Sequence, residues 1–341
     1  MQAQHETHPE IAKLSDIRAM LTDDALLSKL LTSVPKKLPS TLSYTEEGSQ
    51  YFAELCHQPE YYPAHVERRL LKTHSANIID YVKPSQIVDL GCGSMEKTQL
   101  LIHEAIKKHN HINFVPCDID PNIIQTGISK LNYFYGNELS IYPVQGLFEE
   151  CISWSPKIDG STLFTFMGLT YGNMTHEERD SFLRFLRTSM NGDDYFLLSV
   201  DLVKDRATME NAYQDTNGLV AKSMLESLKF LNAFYDADFL LDQFYHLAQY
   251  EPDRRCIVEY LVSRCHQSVE IPKLGLSIEI QEQERIEAEF SEKFLFEDLI
   301  SDLSRWGFCP AQTYTDVDMQ YAMILLHRGR QVDANALRSA A

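Results

Sequence analysis

Three short stretches combine residue types able to hold a polar small molecule. VDLGCGSMEKT (Val88 to Thr98) ends an apolar run and leads into a segment of helix period. Its Gly91 and Gly93 permit a tight turn and let a ligand lie against backbone at a helix N-terminus. The third glycine of a dinucleotide fingerprint is missing, because Ser94, Met95 and Glu96 follow Gly93, and this argues against a bound pyrophosphate. In FVPCDID (Phe114 to Asp120), Asp118 stands where a carboxylate accepts hydrogen bonds from ribose hydroxyls, whereas Asp120 before Pro121 reads as a helix N-cap. FMGLTYGN (Phe166 to Asn173) brings Gly168, Thr170, Gly172 and Asn173 to the end of another apolar run. There Asn173 is either a hydrogen-bonding group for a small polar substrate or an ordinary turn residue.

The elements that must position these residues follow from the hydropathy pattern. Between Ile87 and about Val203, the apolar runs IVDLG, FVPCDID, LSIYPVQG, STLFTFMG and YFLLSVDLV alternate with segments whose apolar residues recur three and four apart. That alternation predicts parallel strands joined by crossover helices, a doubly wound α/β sheet. Near the C-terminus, FCPAQTYTD (Phe308 to Asp316) and MQYAMILLHR (Met319 to Arg328) are too close to enclose a crossover helix, so they must pair antiparallel. A parallel sheet closed by an antiparallel hairpin is the Rossmann-like pattern of class I methyltransferases. The acidic-x-Gly-x-Gly loop suits S-adenosylmethionine there, since no pyrophosphate must be held, and Gln145 to Phe148 would lie beside the adenine. The rest of the chain, with the helical stretch SMLESLKFLNAFYDADF and the alternating runs CIVEYLVSRCHQSVEIP and LSIEIQEQERIEAEF, predicts a second, α+β, substrate-binding domain. The expected partition is discontinuous: residues 65–203 and 292–341 form the cofactor domain, and residues 1–64 and 204–291 the substrate domain.

Composition narrows the function classes. The 341 residues carry 31 Lys+Arg against 49 Asp+Glu, a net charge of −18, which disfavours nucleic acid as a partner. The N-terminus lacks a signal-peptide pattern and no apolar run is long enough to span a bilayer, so a cytoplasmic, monomeric protein without membrane attachment is expected. The 7 cysteines form no C-x-x-C and the 12 histidines no H-E-x-x-H, so free thiols and no metal site are expected.

In order along the chain, KKLPS with Tyr44 and Gly48-Ser49, PEYYP with Glu67, DLGCGSMEKT, FVPCDID, FMGLTYGN, VDLVKD, AYQD with Gly218, and EFSEKF (Glu289 to Phe294) resemble the histidine-specific S-adenosylmethionine-dependent methyltransferase family. This family includes the histidine Nα-methyltransferase of ergothioneine biosynthesis and related amino-acid N-methyltransferases. The resemblance, from about Pro35 to Arg328, implies an Nα-methyltransferase acting on a free amino acid or a close derivative, with S-adenosylhomocysteine as the cofactor product. It assigns Asn173 and Tyr213 to the amino-acid backbone, as the groups that orient the reacting amine, with Gly168 lining the same pocket. Glu289 and Ser291 would grip the imidazole of histidine, and Tyr61 and Tyr62 would cover the substrate. Gly91, Gly93, Lys97, Asp118, Leu147 and Phe148 would contact the cofactor.

The chain also departs from the family pattern. Leu147 replaces the aspartate that reads the adenine amino group, and His65 replaces an arginine after PEYYP. Ser223-Met224-Leu225-Glu226 replaces an F-N-x-N run, and Glu259 stands where a methionine flanks the substrate ring. Glu226 and Glu259 would then place two additional carboxylates beside a side-chain pocket altered from one built for histidine. Competing readings are a non-catalytic S-adenosylmethionine-binding regulatory protein and a methyltransferase for a peptide or another metabolite.

Overall fold

The computed structural model describes residues 9–15, 23–316, 318 and 320–329, so the outer ends of the expected partition, 1–8 and 330–341, lie outside the described residues. Among the described residues, fourteen strands run in chain order: β1 (Ala12–Lys13), β2 (Gln86–Leu90), β3 (Ile112–Asp118), β4 (Leu139–Ile141), β5 (Val144–Gln145), β6 (Thr162–Phe166), β7 (Tyr195–Asp201), β8 (Phe244–Glu251), β9 (Cys256–Ser263), β10 (Gln267–Ile271), β11 (Leu276–Ile280), β12 (Arg285–Glu292), β13 (Phe308–Thr315) and β14 (Tyr321–Arg328).

The large sheet has the order β1-β5-β3-β2-β6-β7-β14-β13, with β4 beside β3. β3, β2, β6 and β7 pair parallel, and β14 enters antiparallel between β7 and β13, as the short connection requires. Every residue of β2 and β6 is buried, as expected of strands covered on both faces. Helices Tyr62–Val82, Thr98–His109 and Pro121–Tyr135 pack through Leu71, Ile78, Leu101, Ile102 and Ile124 on one face. Helices Phe148–Trp154, His176–Ser189 and Phe296–Arg305 cover the other through Ile152, Phe182, Leu186 and Leu303. This is the class I methyltransferase architecture.

A second core surrounds the small antiparallel sheet β12-β9-β8 and the hairpin β10-β11. Helices Asp24–Leu31, Glu46–Leu55 and Leu219–Tyr235 contribute Leu27, Leu31, Leu55, Leu228 and Leu231 to it. The expected helix over 223–239 instead starts at Leu219, after Gly218, and stops at Asp236, whose left-handed backbone (φ 55°) ends it.

Local details differ from the sequence reading. LSIYPVQG splits into β4 and β5 because Pro143 has no N–H to donate. Ala12–Lys13, expected with the substrate domain, pairs with Val144–Gln145 and extends the large sheet. The expected boundary between residues 64 and 65 falls inside helix Tyr62–Val82, which packs on the large sheet. Among the described residues, no helix is long and apolar enough to cross a membrane.

Candidate cofactor and acceptor site

From β2 the chain winds outward to β3 on one side and then returns to β6 on the other, and ligand crevices open at the C-terminal ends of strands at such a switch point. Here the crevice is a cavity of about 290 Å³ reaching from Gly91, Gly93, Asp118 and Phe148 on the large sheet to Asn173, Tyr213, Glu259, Glu289 and Ser291 beside the small one.

At the large-sheet end, Gly91 and Gly93 adopt left-handed conformations (φ +71° and +49°) that strain other residues. Beneath them Asp89, in β2, accepts hydrogen bonds from the hydroxyls of Thr98 and Thr165. Burial pushes its carboxyl up, and these hydrogen bonds partly offset that. Asp118 accepts the Gly93 N–H at 2.9 Å and the Asp120 N–H at 3.1 Å. Burial pushes its carboxyl up to about 6 despite both bonds. A carboxylate offers about four acceptor positions, so Asp118 retains capacity for hydroxyl donors in the cavity. Asp120 caps helix Pro121–Tyr135 by accepting the Asn122 N–H, the role its place before Pro121 suggested. The residues at this end therefore fit an adenosine moiety: an open glycine turn, a carboxylate for hydroxyls and the Phe148 ring.

Midway, Glu67 is 1% exposed and binds Lys97 at 2.9 Å and the Gly168 N–H at 2.7 Å. Burial alone would raise the Glu67 carboxyl, but Lys97 and the Gly168 N–H together hold it below the usual range. The Lys97 ammonium, opposed by burial, is held up by Glu67. Lys97 and Gly168 both line the cavity, with Gly168 at φ +90°.

At the far end, Asn173 Nδ2 donates to Glu289 Oε1 at 2.6 Å, while its buried Oδ1 has no partner. The turn carrying Asn173 packs directly on β12, since a Cβ on Gly172 would lie 2.8 Å from the Glu292 carbonyl oxygen. A bulge in β12 between Glu287 and Glu289 then decides which side chains face inward. Glu287, opposite Tyr260, turns to Arg254 on the outer face. Glu289 and Ser291 turn inward with Glu259 and Ile257. Burial, followed by the charge of Glu259, raises the Glu289 carboxyl well above its ordinary value.

Tyr213 and Ser291 line the cavity and are backed by a charged network. The Tyr213 hydroxyl donates to Ser291 Oγ at 3.1 Å. Fully buried Lys293 donates to both, at 2.8 and 3.0 Å, and lies 3.3 Å from Asp201. Burial lowers the Lys293 ammonium and Asp201 counters it. A cation behind two hydroxyls makes them stronger donors toward an anion in front of them.

Of the residues expected in the site, Tyr61, Gly91, Gly93, Lys97, Asp118, Phe148, Gly168, Asn173, Tyr213, Glu259, Glu289 and Ser291 line this cavity. Others do not, Gln145, Gly146 and Gly172 among them. Tyr62 begins a helix and points behind the cavity, where its hydroxyl donates to Asp201 at 2.5 Å. Leu147 is 47% exposed, because Glu150 takes its N–H at 2.9 Å and turns the N-cap outward. Glu226 is buried away from the cavity against Lys229 at 2.5 Å. Tyr44, known from sequence only as part of a motif, lines the cavity, and burial followed by the charge of Glu289 raises its hydroxyl. His246 was not anticipated: it sits 3.2 Å from Glu259, in a strand whose alternation is too irregular to read.

Comparison with known proteins bears on this geometry. The family described as "Histidine-specific methyltransferase, SAM-dependent" matches residues 22–328. A histidine N-alpha-methyltransferase of Mycolicibacterium smegmatis is 33% identical over 298 residues, 87% of this chain and 92% of that protein. That of Mycobacterium tuberculosis is 32% identical over 286 residues, 84% and 88% of the two chains. A 4-dimethylallyltryptophan N-methyltransferase of Penicillium roqueforti is 26% identical, over 66% of this chain and 69% of its own. With the match spanning both the glycine turn and β12, the chain belongs to the histidine-specific methyltransferase family and is an N-methyltransferase that uses S-adenosylmethionine.

Proposed function

We propose that the enzyme methylates the α-amine of a free amino acid or a close derivative. The observation that carries this reading is the pairing of an unpartnered amide oxygen on Asn173 with the Lys293-backed hydroxyls of Tyr213 and Ser291 in the same cavity. An amino acid presents just such a pair of groups, an amine that donates and a carboxylate that accepts.

In this reading, Asn173 Oδ1 accepts an N–H from the acceptor amine and directs its lone pair toward the Gly168 side of the cavity. Tyr213 and Ser291 receive the carboxylate, with Lys293 supplying the counter-charge from behind. Asp118 takes the cofactor's ribose hydroxyls, Gly91 and Gly93 give it backbone to lie on, and Phe148 faces its adenine. Lys97, tied to Glu67, holds Gly168 in place between the two ligands. Bound S-adenosylmethionine supplies an electrophilic methyl on a positively charged sulfur. Such a displacement leaves the protein chiefly the tasks of alignment and exclusion of water. That relatives are named for histidine and for 4-dimethylallyltryptophan supports an acceptor among amino acids and their derivatives.

A panel of free amino acids and their descarboxy amines, incubated with S-adenosylmethionine and read by S-adenosylhomocysteine release, tests this reading. Turnover of amino acids well above that of the descarboxy amines is expected. Turnover confined to peptides, or to amines without a carboxylate, overturns it.

A further inference from the structure

Glu259 in β9 and Glu289 in β12 stand directly opposite each other and both line the cavity. They are 4% and 8% exposed. Like charges in directly opposed positions destabilise a sheet, and burying carboxylates adds a desolvation cost. The fold does not require acids here, because Ile257 and Leu261, on either side of Glu259 along the same face of β9, are fully buried and apolar. Among the described residues, no lysine or arginine ion-pairs with either carboxylate. Glu289 receives the neutral Asn173 amide at 2.6 Å, and Glu259 has His246 Nε2 at 3.2 Å. Buried Lys293 is committed to Asp201, Tyr213 and Ser291. The cavity is thus acidic on one wall, cation-backed on the next, and carries an unpartnered amide oxygen on Asn173 between them.

We propose that the acceptor is an α-amino acid with a cationic side chain, whose charged nitrogen sits between Glu259 and Glu289. The inference rests on the α-amine reading above and narrows it to guanidinium or ammonium side chains. A planar guanidinium has donors on several edges and can serve two carboxylates at once, and a single positive charge relieves the repulsion between them. His246, behind Glu259, keeps that carboxylate oriented toward the cavity.

The test compares matched pairs: arginine with citrulline, and lysine with norleucine. Binding is measured by calorimetry in the presence of S-adenosylhomocysteine, and turnover by methylation kinetics, for the wild type and for Glu259→Gln. The wild type is expected to prefer the cationic member of a pair by about 100-fold in both readouts, since a site built for a polar group strongly rejects the analogue lacking it. Glu259→Gln should cut that preference at least about tenfold, and Glu259→Met, which buries no carboxylate, should do the same if the glutamine variant folds poorly. Equal binding and turnover of the neutral members by the wild type overturns the inference while leaving α-amine methylation standing. An unchanged preference in both variants also overturns it. Failure to bind or methylate any free amino acid overturns both.

Discussion

Asn173 and Glu289 meet across the cavity with Nδ2 2.6 Å from Oε1, and the other face of the same amide presents a buried oxygen with no partner. One residue thus fixes a wall carboxylate and leaves an acceptor for the ligand. Asn173→Ala should lower kcat/KM up to about tenfold, the worth of one hydrogen bond to the neutral, reacting amine. Asn173→Asp, which keeps the acceptor but faces Glu289 with a like charge, should fall as far. Steady-state kinetics with the best acceptor checks both.

Asp118 gives the cofactor end a pH dependence. Its folded-state carboxyl is raised to about 6, above the unfolded value of about 3.9. The folded apoprotein therefore holds this proton more tightly than the unfolded chain, so between about pH 4 and 6 stability falls as pH rises. Hydroxyl donors need the ionised form, so S-adenosylhomocysteine affinity should drop toward about tenfold per pH unit below 6. Calorimetric titration at pH 7.5, 6 and 5 reads this, and Asp118→Asn should bind weakly with this dependence removed.

Gly172→Ala tests how the Asn173 amide is placed. The added Cβ would lie 2.8 Å from the Glu292 carbonyl oxygen, so the turn bearing Asn173 must lift from β12. Overpacking of this kind costs roughly 1–3 kcal/mol. A modest loss in urea midpoint with a disproportionate loss in kcat/KM is the expected pattern, and cofactor affinity should stay near that of the wild type.

Lys293→Met removes the counter-charge behind Tyr213 and Ser291. Asp201 keeps Lys204, so the protein should remain folded with a lowered melting temperature. The KM for carboxylate-bearing acceptors should rise about tenfold or more, and descarboxy amines should be much less affected. Tyr213→Phe should show the same selectivity for the carboxylate with a smaller effect on stability.

The fold was legible because its strands announce themselves. β2, β3, β6 and β7 are apolar runs, and the brief gap between β13 and β14 dictates that these two pair antiparallel. That Gly91, Gly93 and Asp118 share one end of the cavity was legible too, since local strand-end rules fix them. β8 was missed because its buried and half-buried residues alternate poorly, and His246 with it. The inward aim of Glu289 depends on a bulge, and a one-residue shift in pairing is invisible in composition. Leu147 and Tyr62 stay out of the cavity lining for a related reason. Glu150 turns the backbone of one outward, and Asp201, distant in sequence, captures the hydroxyl of the other.

The position of the transferred methyl tests α-amine methylation most directly. The panel acceptor turned over fastest, labelled with nitrogen-15 at the α-position, is incubated with methyl-labelled S-adenosylmethionine and the product is fragmented by tandem mass spectrometry. The expected result is the labelled methyl in the fragment that retains the α-nitrogen. A labelled methyl on a side-chain nitrogen, or no transfer to any amino acid, would contradict it.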